Sequence, residues 1–207
     1  MSVLIRRLGP FFFPSILWRT HHRSVHVTFD DGPHPRATPK VLDILAKRKI
    51  GATFFLVGSD AALHTEVVRR IAEEGHTIGN HAFSHRSLFL KPKRLQVSEI
   101  ERTDEILSHI VGHRPIYFRP PYGYFDHNTI QAARETLHKL VMWDVDPRDY
   151  DVRSAQDIVE DVSTRIRPGS IILFHDSQPT EHIVEQYLHP VLDRLEELGY
   201  QFSALSV

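Results

Sequence analysis

From residue 25 onward, short apolar runs alternate with longer amphipathic stretches. "VHVTF" (25–29), "ATFFLV" (52–57), "HTIGN" (76–80), "IYFRP" (116–120), "KLVMWDV" (139–145) and "SIILFH" (170–175) have the length and composition of buried strands. Between them, apolar residues recur at helical spacing over 38–49, 64–75, 93–112, 128–136 and 154–166, and from roughly 181 to 198. Thr38 is placed to cap the first of these helices with Pro39 at its first position, while Gly75 and Gly112 are placed to end the second and third. "YQFSAL" closes the chain. Such alternation predicts an α/β fold, a parallel sheet with helices outside. About seven or eight units make a barrel the natural architecture, although the pattern alone also admits an open doubly wound sheet. There is no internal repeat, low-complexity tract or linker, so residues 25–207 read as one domain, with 1–24 as an extension packed on it.

Composition narrows the chemistry. A chain of 207 residues with 41% hydrophobic and 25% charged residues builds one medium-sized domain with a real core. A formal net charge of -1 gives no bulk attraction for nucleic acid or anionic lipid. The absence of cysteine excludes disulfides, thiolate metal sites and cysteine nucleophiles. Histidine is abundant, with 15 copies, so position has to decide which of them matter. In the N-terminal stretch, Arg6-Arg7, Pro10 and Pro14 interrupt the apolar run, which fits a secretory signal poorly and is too short to span a membrane. An interfacial anchor through Phe11 to Phe13 and Trp18 is the alternative to a packed extension.

In parallel α/β folds, sites form where strands end at their C-termini. Asp30 and Asp31 follow the first strand, Asn80 and His81 the third, and Arg119 the fourth. Asp144, Asp146 and Asp149 follow the fifth, and His175-Asp176 the sixth. Any one of these alone reads as a solvated loop residue; five strand ends delivering titratable groups to one rim do not. "TFDDGP" (28–33) adds a geometric condition. Successive strand side chains point to opposite faces, so adjacent aspartates share a pocket only where the strand stops, and Gly32-Pro33 supply that stop.

His81 and His85 ("HAFSH") are four apart, which on a helical turn puts both imidazoles on one face, close enough to share a metal ion. One added carboxylate completes a two-nitrogen, one-oxygen set with room for water, the pattern of a catalytic metal. Zinc is the default, and cobalt, nickel or ferrous iron also suit such ligands. One aspartate then serves the ion and the other remains a base for the water it acidifies; spacing does not say which. His175 is the candidate acid for a leaving amine, and Arg119 can hold one carboxylate by a bidentate contact. Asp144 and Asp146 read as structural, Trp143 as core and Asp176 as support for the loop after His175. Tyr124 and Phe125 read equally as sugar-stacking or packing residues.

Taken in order, "TFDDGP", "GNHAFSH", "RPPYG", "WDVDPRDY" and "SIILFHD" resemble the five motifs of the polysaccharide deacetylase family, the NodB-type domain of carbohydrate esterase family four. The resemblance implies a distorted (β/α) barrel and metal-dependent removal of acetyl groups, mainly N-acetyl, from an N-acetylglucosamine-containing glycan such as chitin oligomers or peptidoglycan. By position it implies Asp30 as general base, Asp31, His81 and His85 as metal ligands, and Arg119 as the residue orienting Asp30. It makes His175 the general acid, poised by Asp149. It assigns the Tyr122 backbone N–H to the oxyanion, with Pro121 beside it on the substrate side, and sets Leu173 at the pocket for the acetyl methyl. Tyr150 departs from the family, which usually has tryptophan there; the aromatic wall is smaller and gains a hydroxyl. Two other readings stay open: hydrolysis of a small non-glycan amide on the same barrel, and a catalytically silent metal- or glycan-binding domain. No nucleic-acid partner and no transmembrane segment are expected. Family members often act outside the cytoplasm, whereas no convincing export signal stands here, so the expectation is a cytoplasmic location or one the sequence leaves open.

Overall fold

The structure is a computed structural model that describes residues 9–151 and 153–206. The part of the N-terminal reading that concerns residues 1–8 lies outside the described residues. Six strands, β1 (His26–Asp30), β2 (Thr53–Leu56), β3 (Thr77–Asn80), β4 (Tyr117–Phe118), β5 (Lys139–Leu140) and β6 (Ile171–His175), form one parallel sheet in the order β5-β4-β3-β2-β1-β6. The sheet curls into a half-barrel. Where the pattern predicts seven or eight units, six strands are regular, and the rest of the wall is built from isolated bridges. Val145 pairs with Ile172, Leu17 with Val141 and Arg19 with Ser170. Residues 17–20 thereby fill the gap between the segment after β5 and the start of β6, with Leu17 N–H on the Leu140 carbonyl and Thr20 N–H on that of Gly169.

Strand side chains alternate between two buried faces, so most strand residues are apolar on both sides, while β1 sends Val27 and Phe29 to one side and the polar His26, Thr28 and Asp30 to the other. Phe54 stacks on Phe29 at 5.0 Å between sheet and helices, while its neighbour Phe55 points inward among Phe118, Trp143 and Leu173. Among the described residues, besides a helical turn over 9–12, seven helices pack around the sheet: α1 (Ala37–Arg48), α2 (Gly58–Leu63), α3 (Thr65–Glu73), α4 (Lys93–Val111), α5 (His127–Glu135), α6 (Ala155–Arg165) and α7 (Val184–Glu197). Gly75 and Gly112 follow their helices at φ +80°, the left-handed conformation expected of them. Short α2 was not legible in the sequence. It starts at Gly58, where a Cβ would fall 2.5 Å from the Thr103 hydroxyl of α4.

Thr38 does not cap α1. The N-cap is Arg36, and the Thr38 hydroxyl, inside the first turn, instead accepts from the His34 N–H and donates to Asp176. Trp18 is buried and donates its indole N–H to the Phe13 carbonyl, so it is not available to a membrane surface; Phe11 and Phe12 are exposed. No described helix is long and apolar enough to cross a membrane.

Candidate active site

The strand ends converge on one cleft of about 400 Å³. β1 stops at Asp30, and Asp31 takes φ +72°, so the two carboxylates that a continuing strand would send to opposite faces both line this cleft. Gly32 is required next to them, since a Cβ there would lie 2.4 Å from the Asp176 carboxylate. Asp176 therefore packs under the "DDGP" turn rather than under the loop after His175. Its N–H donates to the Asp30 carbonyl at 3.2 Å, and burial pushes its pKa well up.

His81 and His85 meet without a helix. Residues 81–87 form an irregular loop in which Ala82 and His85 take φ +62° and +52°. The helical spacing expected of the pair is therefore incidental, and side chains from elsewhere impose the shape. Asn80 Oδ1 accepts from the Ala82 N–H, and Asn80 Nδ2 donates to Asp104 on α4. Glu99 Oε2, also on α4, accepts from the Phe83 N–H, the Ser84 N–H and the Ser84 hydroxyl at 3.2, 2.8 and 2.9 Å. Sequence reasoning did not find Glu99 or Asp104, because nothing near the histidines points to α4.

Asp31 Oδ1 lies 2.8 Å from His85 Nε2 and 3.3 Å from His81 Nε2, and the three ligand atoms fall within 4.8 Å of one another. His81 Nδ1–H donates to the Arg119 carbonyl at 2.7 Å, which fixes the tautomer and leaves Nε2 free to coordinate. Burial opposes ionisation of Asp31, but hydrogen bonds from His81 and His85 outweigh it and hold the carboxyl far below the usual range. An anionic oxygen beside two imidazole nitrogens is the donor set of a divalent transition metal, so the residues fit the ion the sequence implies.

Asp30 is held apart from that trio. Its Oδ1 accepts from Arg119 Nη1 at 2.6 Å, and its Oδ2 stays 3.8 Å from His81 Nε2. The contact is a single bond, not the expected bidentate pair. The remaining Arg119 donors go to Thr28 Oγ1 and to the Val141 and Met142 carbonyls, and the guanidinium lies 4.0 Å from the Phe55 ring centroid. Arg119 is fully buried, so its charge and that of Asp30 depend on each other.

On the opposite side, His175 Nδ1–H donates to Asp149 Oδ1 at 2.8 Å, and Asp149 Oδ2 accepts from the His175 N–H and the Tyr187 hydroxyl at 2.8 and 2.7 Å. Tyr187, on α7, is a second residue that sequence reasoning missed. Burial by itself depresses His175. The charge and hydrogen bond of Asp149, with Asp31 and Asp30 behind it, prevail and raise its pKa to about 9.

The other expected residues divide. Leu173, Tyr150 and Tyr122 line the cleft, Tyr150 edge-on to His175 at 5.0 Å and Tyr122 beside His85 at 4.9 Å. Pro121 is buried in the turn carrying Tyr122 and is not among the cleft-lining residues. Trp143 is buried as expected and also floors the cleft under Gly123, where a Cβ would lie 2.4 Å from the indole. Asp144 is structural, accepting from Ser170, Arg167 and the Ile171 N–H; Asp146 accepts from the Arg148 N–H and lines the cleft. Phe125 packs against Phe13 and Trp18, whereas Tyr124 is half-exposed at the cleft edge.

Comparison with known proteins follows the same residues. A family model described as polysaccharide deacetylase matches residues 19–141. The chain is 39% identical over 183 residues to a peptidoglycan-N-acetylglucosamine deacetylase of Bacillus cereus, covering 87% of this chain and 66% of that one. It is 37% identical over 166 residues to a chitooligosaccharide deacetylase of Rhizobium leguminosarum bv. phaseoli, covering 79% of this chain and 72% of that one. The chain thus spans about two thirds of the length of the first relative. Among solved structures, the Bc1960 peptidoglycan N-acetylglucosamine deacetylase matches with a TM-score of 0.86 at 35% identity, over 92% of this chain and 91% of that chain. The matched span holds both aspartates of the "DDGP" turn, the two histidines beside them and Arg119, and the chain belongs to the polysaccharide deacetylase family.

Proposed function

We propose that the protein hydrolyses N-acetyl groups from an oligo- or polysaccharide containing N-acetylglucosamine, with a divalent metal, zinc by default, held by Asp31, His81 and His85. The observation that carries this reading is the division of charge around the cleft. One carboxylate belongs to the metal trio, its neighbour is reserved by a buried arginine, and His175, its pKa raised to about 9 chiefly by Asp149, lines the same cleft. When bound, the ion supplies Lewis acidity that acidifies water and polarises the acetyl carbonyl. Asp30, oriented by Arg119, takes the proton of the attacking water as its oxygen adds to the acetyl carbon. The Tyr122 N–H donates to the developing oxyanion. His175, kept charged by Asp149, delivers a proton to the departing nitrogen as the C–N bond breaks, giving acetate and a free amine. Leu173 offers an apolar wall to the methyl group.

A glycan is favoured over a small amide because the cleft is open at its edge and flanked by half-exposed aromatic rings. A silent binding domain needs neither the Asp30–Arg119 nor the His175–Asp149 pair. The test is acetate release from N-acetylated chito-oligosaccharides and peptidoglycan fragments by protein stripped with chelator and resupplied with zinc or cobalt. Release restored by metal is expected. No release from any substrate, with bound metal shown by elemental analysis, would overturn the assignment.

A further inference from the structure

A row of aromatic rings leads away from the metal trio. His85 lies 4.9 Å from Tyr122, Tyr122 stacks with Tyr124 at 6.5 Å and 29°, and Tyr124 lies 6.3 Å from Phe89. Tyr122, Tyr124 and Phe89 each keep about half of their surface exposed, and Leu90 beyond them keeps 75%. Exposure of this much apolar surface in one strip opposes the burial that drives folding, and contiguous patches of that kind mark binding surfaces.

The loop that carries Phe89 is built to hold it there. Leu88 is buried in the inner core and anchors one side. Leu90, a branched residue, sits at φ +60°, a conformation such side chains adopt at an energetic cost. Its N–H donates to Asp126 Oδ2 at 2.7 Å, while Asp126 Oδ1 caps α5. The Lys91 carbonyl accepts from both Gln96 and Asn128. A loop fixed at this many points, with its apolar side chains turned outward, is preorganised for a ligand.

We propose that Tyr124 and Phe89 form a stacking platform for the sugar rings next to the one being deacetylated, so that the protein selects extended glycan chains over mono- and disaccharides. The occupant is a continuation of the substrate, because the strip is contiguous with the cleft edge at Tyr122 and Tyr124. A pyranose ring presents an apolar C–H face that matches an aromatic surface, and the tyrosine hydroxyl offers a polar partner at its rim. This rests on the deacetylase reading of the cleft, and the test separates the two.

Binding of chitobiose through chitopentaose is measured by calorimetry on metal-loaded protein carrying Asp30→Asn, which preserves the sugars during titration. The pentasaccharide is expected to bind about tenfold more tightly than the disaccharide. Phe89→Ala and Tyr124→Ala are each expected to remove most of that advantage, and Tyr124→Phe to retain it. A pentasaccharide bound no better than the disaccharide, alanine variants that keep the full advantage, or a Tyr124→Phe loss equal to that of alanine would each overturn the platform. Wild-type protein that binds by length yet releases no acetate would sustain the platform and refute the deacetylase reading.

Discussion

Replacing Asp149 with asparagine removes the charge that keeps His175 protonated while leaving the volume of the side chain nearly unchanged. The elevation of His175 from 6.5 to about 9 favours the imidazolium by about 3 kcal/mol. An asparagine supplies no charge, and burial is then opposed only by the charges of Asp31 and Asp30, so the histidine falls toward its ordinary 6.5, the value used below as the limit. At pH 8 the protonated fraction would drop from about 0.9 to about 0.03, a loss of about 30-fold in a rate that needs the acid form. At pH 6 the fraction would still be about 0.8 with a pKa of 6.5, so the loss from this cause nearly vanishes. The assay is kcat against pH for acetate release, paired with NMR titration of the His175 ring in stripped and zinc-loaded protein. The structure predicts that the alkaline limb moves toward acid by up to about two pH units. A limb that stays where it was, or an equal loss at pH 6 and pH 8, would refute His175 as the acid held by Asp149.

Four further outcomes are expected. Asp30→Asn should lower kcat by at least about 10²-fold, with metal content by elemental analysis unchanged. His81→Ala should weaken metal binding, read by competition with a fluorescent chelator, and unchanged affinity would remove it from the ligand set. Arg119→Met should lower stability by about 3–5 kcal/mol in denaturant titrations, because Asp30 would be left buried without its partner. In stripped protein, His175 has a raised folded-state pKa, so its contribution to stability should be complete below pH 6.5 and be lost as pH rises through about 9. Thermal melts across that range check the sign.

The strand ends that carry the site are legible because their apolar runs give way to polar or charged residues such as Asp30, Asn80-His81, Arg119 and His175, and periodicity is a local property. Asp30, Asp31, His81, Arg119 and His175 could be found this way. Residues that shape the site from a distance could not. Tyr187 is 38 positions from the Asp149 it supports and reads locally as one more apolar position of α7. Glu99, 15 residues beyond Ser84, reads as a solvent-facing charge on an amphipathic helix. Thr38 shows the converse failure. Its residue type and the proline after it fit a helix cap, but a buried carboxyl from the far end of the chain claims the hydroxyl. The strand over 139–145 is shorter than its apolar run for a similar reason, since after Leu140 the backbone turns from β4 to Leu17 and the start of β6 through isolated bridges and makes no continuous ladder.

The tail of the chain has a bearing on how the protein is made. Val25 exchanges backbone hydrogen bonds with Gln201 and Ser203, the Leu205 N–H donates to Thr53 Oγ1, and the Leu205 carbonyl accepts from Thr77. The first strands of the sheet thus receive partners from residues 128 and 152 positions further along the chain. Loop closure of that span is entropically slow, and it sits outside the reach of local nucleation. A nascent chain would therefore expose the foot of β1 and β2 until residues 201–205 have left the ribosome, and this interval is when a chaperone would have its longest access to the fold.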